Sequence, residues 1–313
     1  MPEPGTIFQV GSRDRGQRLD RFLHARIPGP SRASIQRAIE ARVTLSWTQR
    51  VRPSTRVRPG GEVHVGFTPL AETLLDVRIP VLDRGPGWLA ADKPAGIPVH
   101  PVNRVRENTV ILMLRRQEGA ATLRLVHRLD RETSGALLVA RDAIAARALS
   151  TAFERGEVSK EYLALVRGEI DREEGEIDLP IGPARDSRVR YRLAPHEDGK
   201  PSRTSWKVER RLRGCTLVRV FPRTGRRHQI RVHLTAMGHP ILGDLLYGRD
   251  DDDFLDVVRG ARDPRRGEDG PRRHLLHCAR LVAPDPAGGA AITIDAPLPE
   301  DLRAAMDDPQ RVL

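Results

Sequence analysis

The sequence predicts an α+β protein in two parts, a small helix, helix and β-hairpin unit followed by a larger sheet-and-helix domain. Three observations carry this prediction. Near the amino terminus, two stretches of helical periodicity precede two short strand-like pieces. Further on, strand-length runs at 136–140, 159–166, 204–210 and 215–221 recur around a helical stretch at 143–155. With 313 residues, 39% of them hydrophobic, there is enough apolar material for a large core and a small one.

The first unit is expected at 12–67. Leu19, Phe22, Leu23 and Ile27 recur at helical spacing, and a Pro-Gly-Pro turn follows at 28–30. Ser31 or Ser34 can cap a second helix whose inward face is Ile35, Ile39 and Ala38. Strands at 43–46 and 62–67 then flank a turn at Pro59-Gly60-Gly61. Residues 12–66 hold twelve arginines against Asp14, Asp20, Glu40 and Glu62, so about a sixth of the chain carries +8 of a net +11. A genome rich in arginine codons would explain why only Lys93, Lys160, Lys200 and Lys207 are lysines, but not this concentration. Arg32, Arg37 and Arg42 fall outside the apolar positions of the second helix, as a phosphate-binding face requires. A solvated charged face is the alternative reading.

Residues 68–78 read as a linker and 79–313 as the second domain. There 88–91 is a strand and Pro94-Ala95-Gly96 a turn, near which Lys93 is expected to serve structure rather than catalysis. The stretch HRLDRETSGALLVAR, 127–141, changes from charge-dense to apolar through Thr133, Ser134 and Gly135, so Asp130 is expected at the mouth of a buried strand. Such a carboxylate beside arginines can stay ionised while partly desolvated and act as a nucleophile, or it can simply cap a turn or pair with Arg128 or Arg131. Asp142 is placed to cap the helix at 143–155. Residues 249–273 alternate acidic and basic blocks and are expected as a mobile surface insertion. The aspartates at 250–253 lack the convergent geometry that calcium or magnesium needs.

Cys215 and Cys278 make no disulfide framework, and the spacings of His127, His228, His233, His239, His274 and His277 fit no common zinc pattern. No metal is expected. With neither a signal-peptide pattern in MPEPGTIFQVGSRDRG nor an apolar stretch of membrane-spanning length, the expectation is a soluble, cytoplasmic protein.

Two resemblances add to these readings. The stretch RLDRFLHARIPGPSRASIQRAIEARVTL resembles the small S-four-type RNA-binding module, with one departure: Trp47-Thr48-Gln49 stands where that module carries a small-residue turn such as Asn-Gly. The segments HRLDRETSG, SKEY and FPRTGRRHQIRVHLTAMGHPILGDLLYG, in this order and spacing, look like the RluA-type family of RNA pseudouridine synthases over most of 80–300. That resemblance implies a mixed, mainly antiparallel central sheet with flanking helices and a catalytic cleft. It implies that Asp130 is the catalytic aspartate, with Arg231 paired to it. Tyr162 would stack on the flipped uracil, Ile230 would pack under the base, and Arg128 would enter the RNA where the uridine leaves. His127 and His228 are expected around the substrate.

Base extraction from a stack costs a few kcal/mol, and stacking on an aromatic ring offsets roughly 1–3 kcal/mol of it. Isomerisation consumes nothing, so no cofactor is expected. The expected partner is RNA, ribosomal RNA before transfer RNA, and the expected state a monomer. Two other classes stand beside this reading: an RNA-binding or ribosome-assembly factor without activity, against which the intact Asp130, Tyr162 and Arg231 argue, and a hydrolase of base-sugar bonds, for which only Glu132 and Glu161 offer a second carboxylate.

Overall fold

The computed structural model describes residues 6–27, 32–66, 72–102, 105–259 and 271–311. The chain divides into one unit of Met1–Asp76 with His100–Thr109 and another of Val77–Val99 with Val110–Leu313.

The first unit contains β1 (Thr6–Gln9), α1 (Leu19–Arg26), α2 (Arg32–Arg42), β2 (Val43–Leu45) and β3 (Glu62–Val65). The strands form an antiparallel sheet in the order β1-β3-β2. Alternation along β3 turns Val63 and Val65 inward, against Leu19, Phe22, Leu23, Ile35 and Ile39 from the two helices. The helices therefore bury the apolar faces that periodicity predicted. Three details differ. The sheet includes a strand at Thr6–Gln9, ahead of the expected start at 12, because a four-residue edge strand with Ile7 half exposed carries too little pattern to be read. Ser34 lies within α2 rather than at its cap, and Ser31 is outside the described residues. Residues 100–109, expected in the second domain, belong to the first unit because the Glu72 carboxylate accepts the amides of Arg106, Glu107 and Asn108.

Part of this unit's positive charge is spent internally. Asp20 is fully buried and accepts from Arg18, Arg32 and Gln36. The hydrogen bond from Arg18 is the largest influence holding its carboxyl far below the ordinary value, with Gln36 and Arg32 reinforcing it against burial. Arg32 thus braces α2 onto α1 while remaining part exposed. Arg42 is exposed, and the Arg37 side chain lies outside the described residues.

The second unit contains, in order, β4 (Val81–Gly85), β5 (Trp88–Lys93), α3 (Val110–Glu118), β6 (Arg124–Leu125), β7 (Ser134–Ala140), α4 (Ala143–Glu154), β8 (Ser159–Arg167), β9 (Glu174–Asp178), β10 (Ile181–Pro183), β11 (Leu193–Pro195), β12 (Arg203–Leu212), β13 (Cys215–Pro222), α5 (Gln229–Ala236), α6 (Asp251–Arg259), β14 (Leu276–Ala283), β15 (Ile292–Asp295) and α7 (Glu300–Asp307). Ten of the strands form one sheet, ordered β4-β5-β7-β14-β8-β13-β12-β9, with β6 added to β7 and β15 to β14. Every pairing in it is antiparallel except β7 with β14. This is the mixed, mainly antiparallel sheet of an α+β fold.

All seven residues of β7 are buried, which explains why its sequence is an uninterrupted apolar run rather than an alternation. Asp142 caps α4 by accepting the amide of Ala145 at 2.8 Å, and the helix buries Ala145, Leu149 and Ala152. Within the segment expected as a mobile insertion, 251–259 is the helix α6, whose Phe254 and Leu255 pack on a small cluster of Ile181, Val189, Val232, Leu246 and Tyr247; residues 260–270 lie outside the described residues. Its run of acids hid an amphipathic pattern, and its first carboxylate, Asp251, pairs with Arg192 at 2.5 Å.

Where β7 and β14 run parallel, Gly135 sits opposite Cys278 with φ +108, and a Cβ there would run into the Cys278 carbonyl. Only glycine satisfies both the backbone and the space. Gly135→Ala should therefore destabilise the protein by at least about 2 kcal/mol, seen as a lowered urea midpoint at unchanged slope. A midpoint equal to that of the parent would contradict the close approach.

Candidate active site

Asp130 lies in the loop that enters β7, and the loop is fixed through its carbonyls. Lys93, at the end of β5, is fully buried and donates to the carbonyls of Pro94, Arg131 and Thr133 at 2.7, 2.8 and 2.7 Å. An ammonium group has three donors, and all three are used. Burial pulls its pKa down to about 7, against the opposing pull of Glu132. Arg273, anchored to Asp301 at 2.6 Å, donates to the carbonyl of Glu132. Two buried cations thus hold three successive carbonyls next to Asp130, as a structural reading of Lys93 anticipates. Thr133 and Ser134 complete the anchoring through their hydroxyls, 2.9 Å from His274 Nε2 and His277 Nδ1.

The Asp130 side chain is 27% exposed and meets Arg231 from α5. Arg231 Nη1 donates to Asp130 Oδ2 at 2.8 Å, while Nε and Nη2 make a bidentate pair with Asp244 at 2.6 and 2.8 Å. Asp244 is fully buried and also accepts the amides of Leu246 and Tyr247. The arginine fork is therefore divided, two donors to a buried carboxylate and one to the accessible one. Burial works to lower the Arg231 pKa, but Asp244 and then Asp130 hold it above its ordinary value. For Asp130, burial pushes the carboxyl up, yet His228, Arg231 and His274 together bring it below the ordinary 3.8. Burial drops His228 to about 4 and His274 well below 6.5, so near neutral pH Arg231 is the permanent cation beside an ionised Asp130.

Tyr162 lies on β8 directly opposite Cys278 of β14. Burial raises the phenol well above 10, with the charges of Cys278 and Asp130 adding to the rise. Tyr162 is therefore a neutral ring near the carboxylate. Ile230 and Arg231 are both nearly buried on α5. The turn before this helix is set by Gln229, which accepts from Thr224 and Arg226 and donates to Arg203 and Thr204. That turn leaves His228 at φ 56 with its Nε2 3.9 Å from Asp130.

The structure thus brings Asp130, Tyr162, His228, Ile230 and Arg231 onto neighbouring elements of one unit. Arg128 is exposed in the same loop, and neither it nor Arg131 is the partner of Asp130: Arg131 donates to the Gly96 carbonyl instead. His127 departs from its expected substrate contact. Its Nε2 accepts the Leu138 amide, its ring stacks on Phe153 at 4.6 Å, and burial takes its pKa to about 3, so it anchors β7 to α4. The remaining histidines are engaged singly, His233 with Thr204 and Leu179, His239 with Arg167.

Sequence reasoning missed Asp244 and Tyr247. The available signal was GDLLYG itself: Gly243 and Gly248 both have positive φ, bracketing a tight segment that presents a buried acid. A groove of about 830 Å³ lined by Arg185, Arg188, Arg192 and Asp251 shares no residue with this constellation.

Residues 87–236 match the family model described as RNA pseudouridylate synthase. The chain is 38% identical to an "uncharacterized RNA pseudouridine synthase" of Chloroflexus aurantiacus, over 96% of this chain and 92% of that protein. It is 32% identical to the ribosomal large subunit pseudouridine synthase C of Escherichia coli, over 96% of this chain and 95% of the relative. To the ribosomal large subunit pseudouridine synthase D of Xanthomonas campestris it is 35% identical, over 93% and 88%. Among solved structures, human RNA pseudouridylate synthase domain containing 1 aligns with a TM-score of 0.58 at 29% identity, over 72% of this chain and 86% of that one.

The divided fork predicts unequal effects on stability. Asp244→Ala leaves a buried guanidinium with one partner and should cost about 3–5 kcal/mol in denaturant unfolding. Asp130→Ala leaves the bidentate pair intact and should change stability by less than about 1 kcal/mol. Equal losses in the two variants would mean that Asp244 does not hold the arginine.

Proposed function

Since the chain belongs to the RluA-type family of RNA pseudouridine synthases, enzymes that isomerise uridine in RNA, we propose that its substrate is a uridine of large-subunit ribosomal RNA and that Asp130 carries the reaction. The observation that carries this reading is the 2.8 Å pair between Arg231 and Asp130, made by the two segments in which the family resemblance is strongest. Conversion of uridine to pseudouridine breaks the bond from N1 of the base to the ribose and forms one from C5. A proton leaves C5 and one is gained at N1, so nothing is consumed. An ionised carboxylate at the sugar is the group this needs, and a permanent cation behind it keeps it ionised without relying on solvent.

The remaining roles follow from position. Tyr162 offers a neutral aromatic face for the extruded base, and Ile230 an apolar one. Arg128, exposed in the Asp130 loop, reaches outward to fill the place the uridine vacates. The ribosomal target is supported by the names of the C and D synthases, which match nearly the whole chain. The first unit, with Arg42, Arg50, Arg52 and Arg58 exposed, serves in this reading as an S-four-type RNA-binding domain that docks the enzyme through phosphates. Among the described residues, no helix is long and apolar enough to cross a membrane. A cytoplasmic monomer acting without cofactor fits this reading.

Asp130→Ala should bind in vitro transcripts of large-subunit ribosomal RNA with parental affinity and form no pseudouridine in them. Product equal to that of the parent would sink the assignment. In the first unit, each of Arg42→Ala and Arg58→Ala should weaken RNA binding across sequences and lower the salt slope by roughly one. Unchanged affinity and slope in both would make the basic surface incidental.

A further inference from the structure

Tyr247 and His228 form a hydrogen-bonded pair; His228 is expected around the substrate, but the roles above give it no contact or chemistry, and give none to Tyr247. His228 Nδ1 is 2.8 Å from the Tyr247 hydroxyl, with the two rings edge to face. The Tyr247 oxygen also accepts the Leu193 amide at 3.2 Å. Tyr247 is buried, so its own proton needs an acceptor, and Nδ1 is the one that the described residues place within reach. With Nδ1 accepting, a neutral imidazole must carry its proton on Nε2. That nitrogen lies 3.9 Å from Asp130 Oδ2, too far for a hydrogen bond. The N–H therefore points into the space beside the carboxylate with no acceptor among the described residues.

Backbone geometry says the same independently. His228 has φ 56 and ψ 16, and it is the only non-glycine residue with positive φ among the described residues. Side chains disfavour this region, and residues held there concentrate at functional sites. The turn that imposes it is secured by all the donors and acceptors of the buried Gln229 amide. Tyr247 also lies against the Arg231 guanidinium, 4.9 Å from ring centroid to Cζ, so one side chain backs both groups that face Asp130.

We propose that His228 touches the substrate: its Nε2–H, fixed in that tautomer by Tyr247, donates a hydrogen bond to a uracil carbonyl oxygen of the uridine held at Asp130. When the bond between N1 and the ribose breaks, the electron pair passes to the base and spreads onto the carbonyl oxygens. A donor aimed there binds the departing base more tightly than the intact uridine, which is what accelerates the step. No proton is transferred to or from the imidazole. A neutral ring suits the place, since an imidazolium would pair with Asp130 and weaken it as a nucleophile. Tyr247 is the positioning residue. This inference rests on the pseudouridine synthase chemistry above, not on which RNA is the target.

Two readouts on the full-length protein test it. Two-bond 1H–15N correlation spectra should show the parent His228 protonated on Nε2 and not on Nδ1; the opposite tautomer overturns the proposal. For turnover, His228→Gln can place an amide N–H near the Nε2 position, whereas the amide of His228→Asn reaches only as far as Nδ1. Asparagine is nevertheless the better residue for left-handed backbone. The proposal predicts that Gln keeps more kcat than Asn, with Asn lowered by about 100-fold, and that Tyr247→Phe lowers kcat on the order of tenfold with KM little changed. If Asn equals or exceeds Gln, or Tyr247→Phe turns over like the parent, His228 serves only the turn. Rates are to be taken on in vitro transcripts of both ribosomal and transfer RNA. A wrong ribosomal target then changes which transcript reacts and leaves the Gln-to-Asn comparison intact.

Discussion

One guanidinium organises the second unit. Arg231 gives two of its donors to Asp244, which is fully buried, and one to Asp130, which is not. The order of these commitments matters. A buried carboxylate without its cation is expensive, so the Asp244 pair is the structural bond and fixes where the guanidinium points. Asp130 receives what is left. Two carboxylates share one cation, and the cluster keeps a net negative charge at its accessible end. An Asp130 neutralised by its own bidentate arginine would be a poorer nucleophile; one with no cation would be driven by burial toward protonation. The sign of the shift sets a pH window. Because the folded-state pKa of Asp130 is depressed, the pair's stabilisation is present above the ordinary 3.8 and is lost as pH falls below it.

The other half of the arrangement is the loop that carries Asp130. Its carbonyls are held by Lys93 from one neighbouring strand and by Arg273 from the segment leading into another. The parallel pairing of β7 and β14, the exception in an otherwise antiparallel sheet, brings those supports together. Gly135 is the residue that lets the two strands approach. The polar residues of the motif around Asp130 thus divide cleanly: Thr133, Ser134 and Gly135 build the strand mouth, Arg131 ties the loop to the Gly96 turn, and Arg128 and Asp130 face outward. Preorganisation of this kind means little has to move when substrate arrives.

Much of this was legible in the sequence. The apolar run after Asp130, the Asp142 cap and the helical spacing of Leu19, Phe22, Leu23 and Ile27 are local patterns, and local patterns determined those elements. Arg231 as the partner of Asp130 was legible only through the family resemblance, since 101 residues separate them. What escaped was long-range or masked by composition. Asp244 looked like one more acid in a chain with 42 of them, because nothing local marks an acid that will be buried. Arg32, expected on the phosphate-binding face, also donates to Asp20 across two helices. The helix α6 was hidden by its aspartates, of which Asp251, Asp252 and Asp253 pair with Arg192, Arg188 and Arg249 while Phe254 and Leu255 turn inward. The ring of His127, expected around the substrate, turns onto Phe153 and the Leu138 amide, a direction that a histidine beside the Asp130 loop does not announce locally.

The central claim is that Arg231 keeps a partly buried Asp130 ionised. Titration of the Asp130 side-chain carboxyl carbon by NMR, in the parent and in Arg231→Met, tests it most directly. The parent midpoint should lie below the ordinary 3.8, and the variant midpoint above the parent's, since the permanent cation offsetting burial is then gone. A parent midpoint above the ordinary value, or one that the substitution leaves unmoved, would contradict the account.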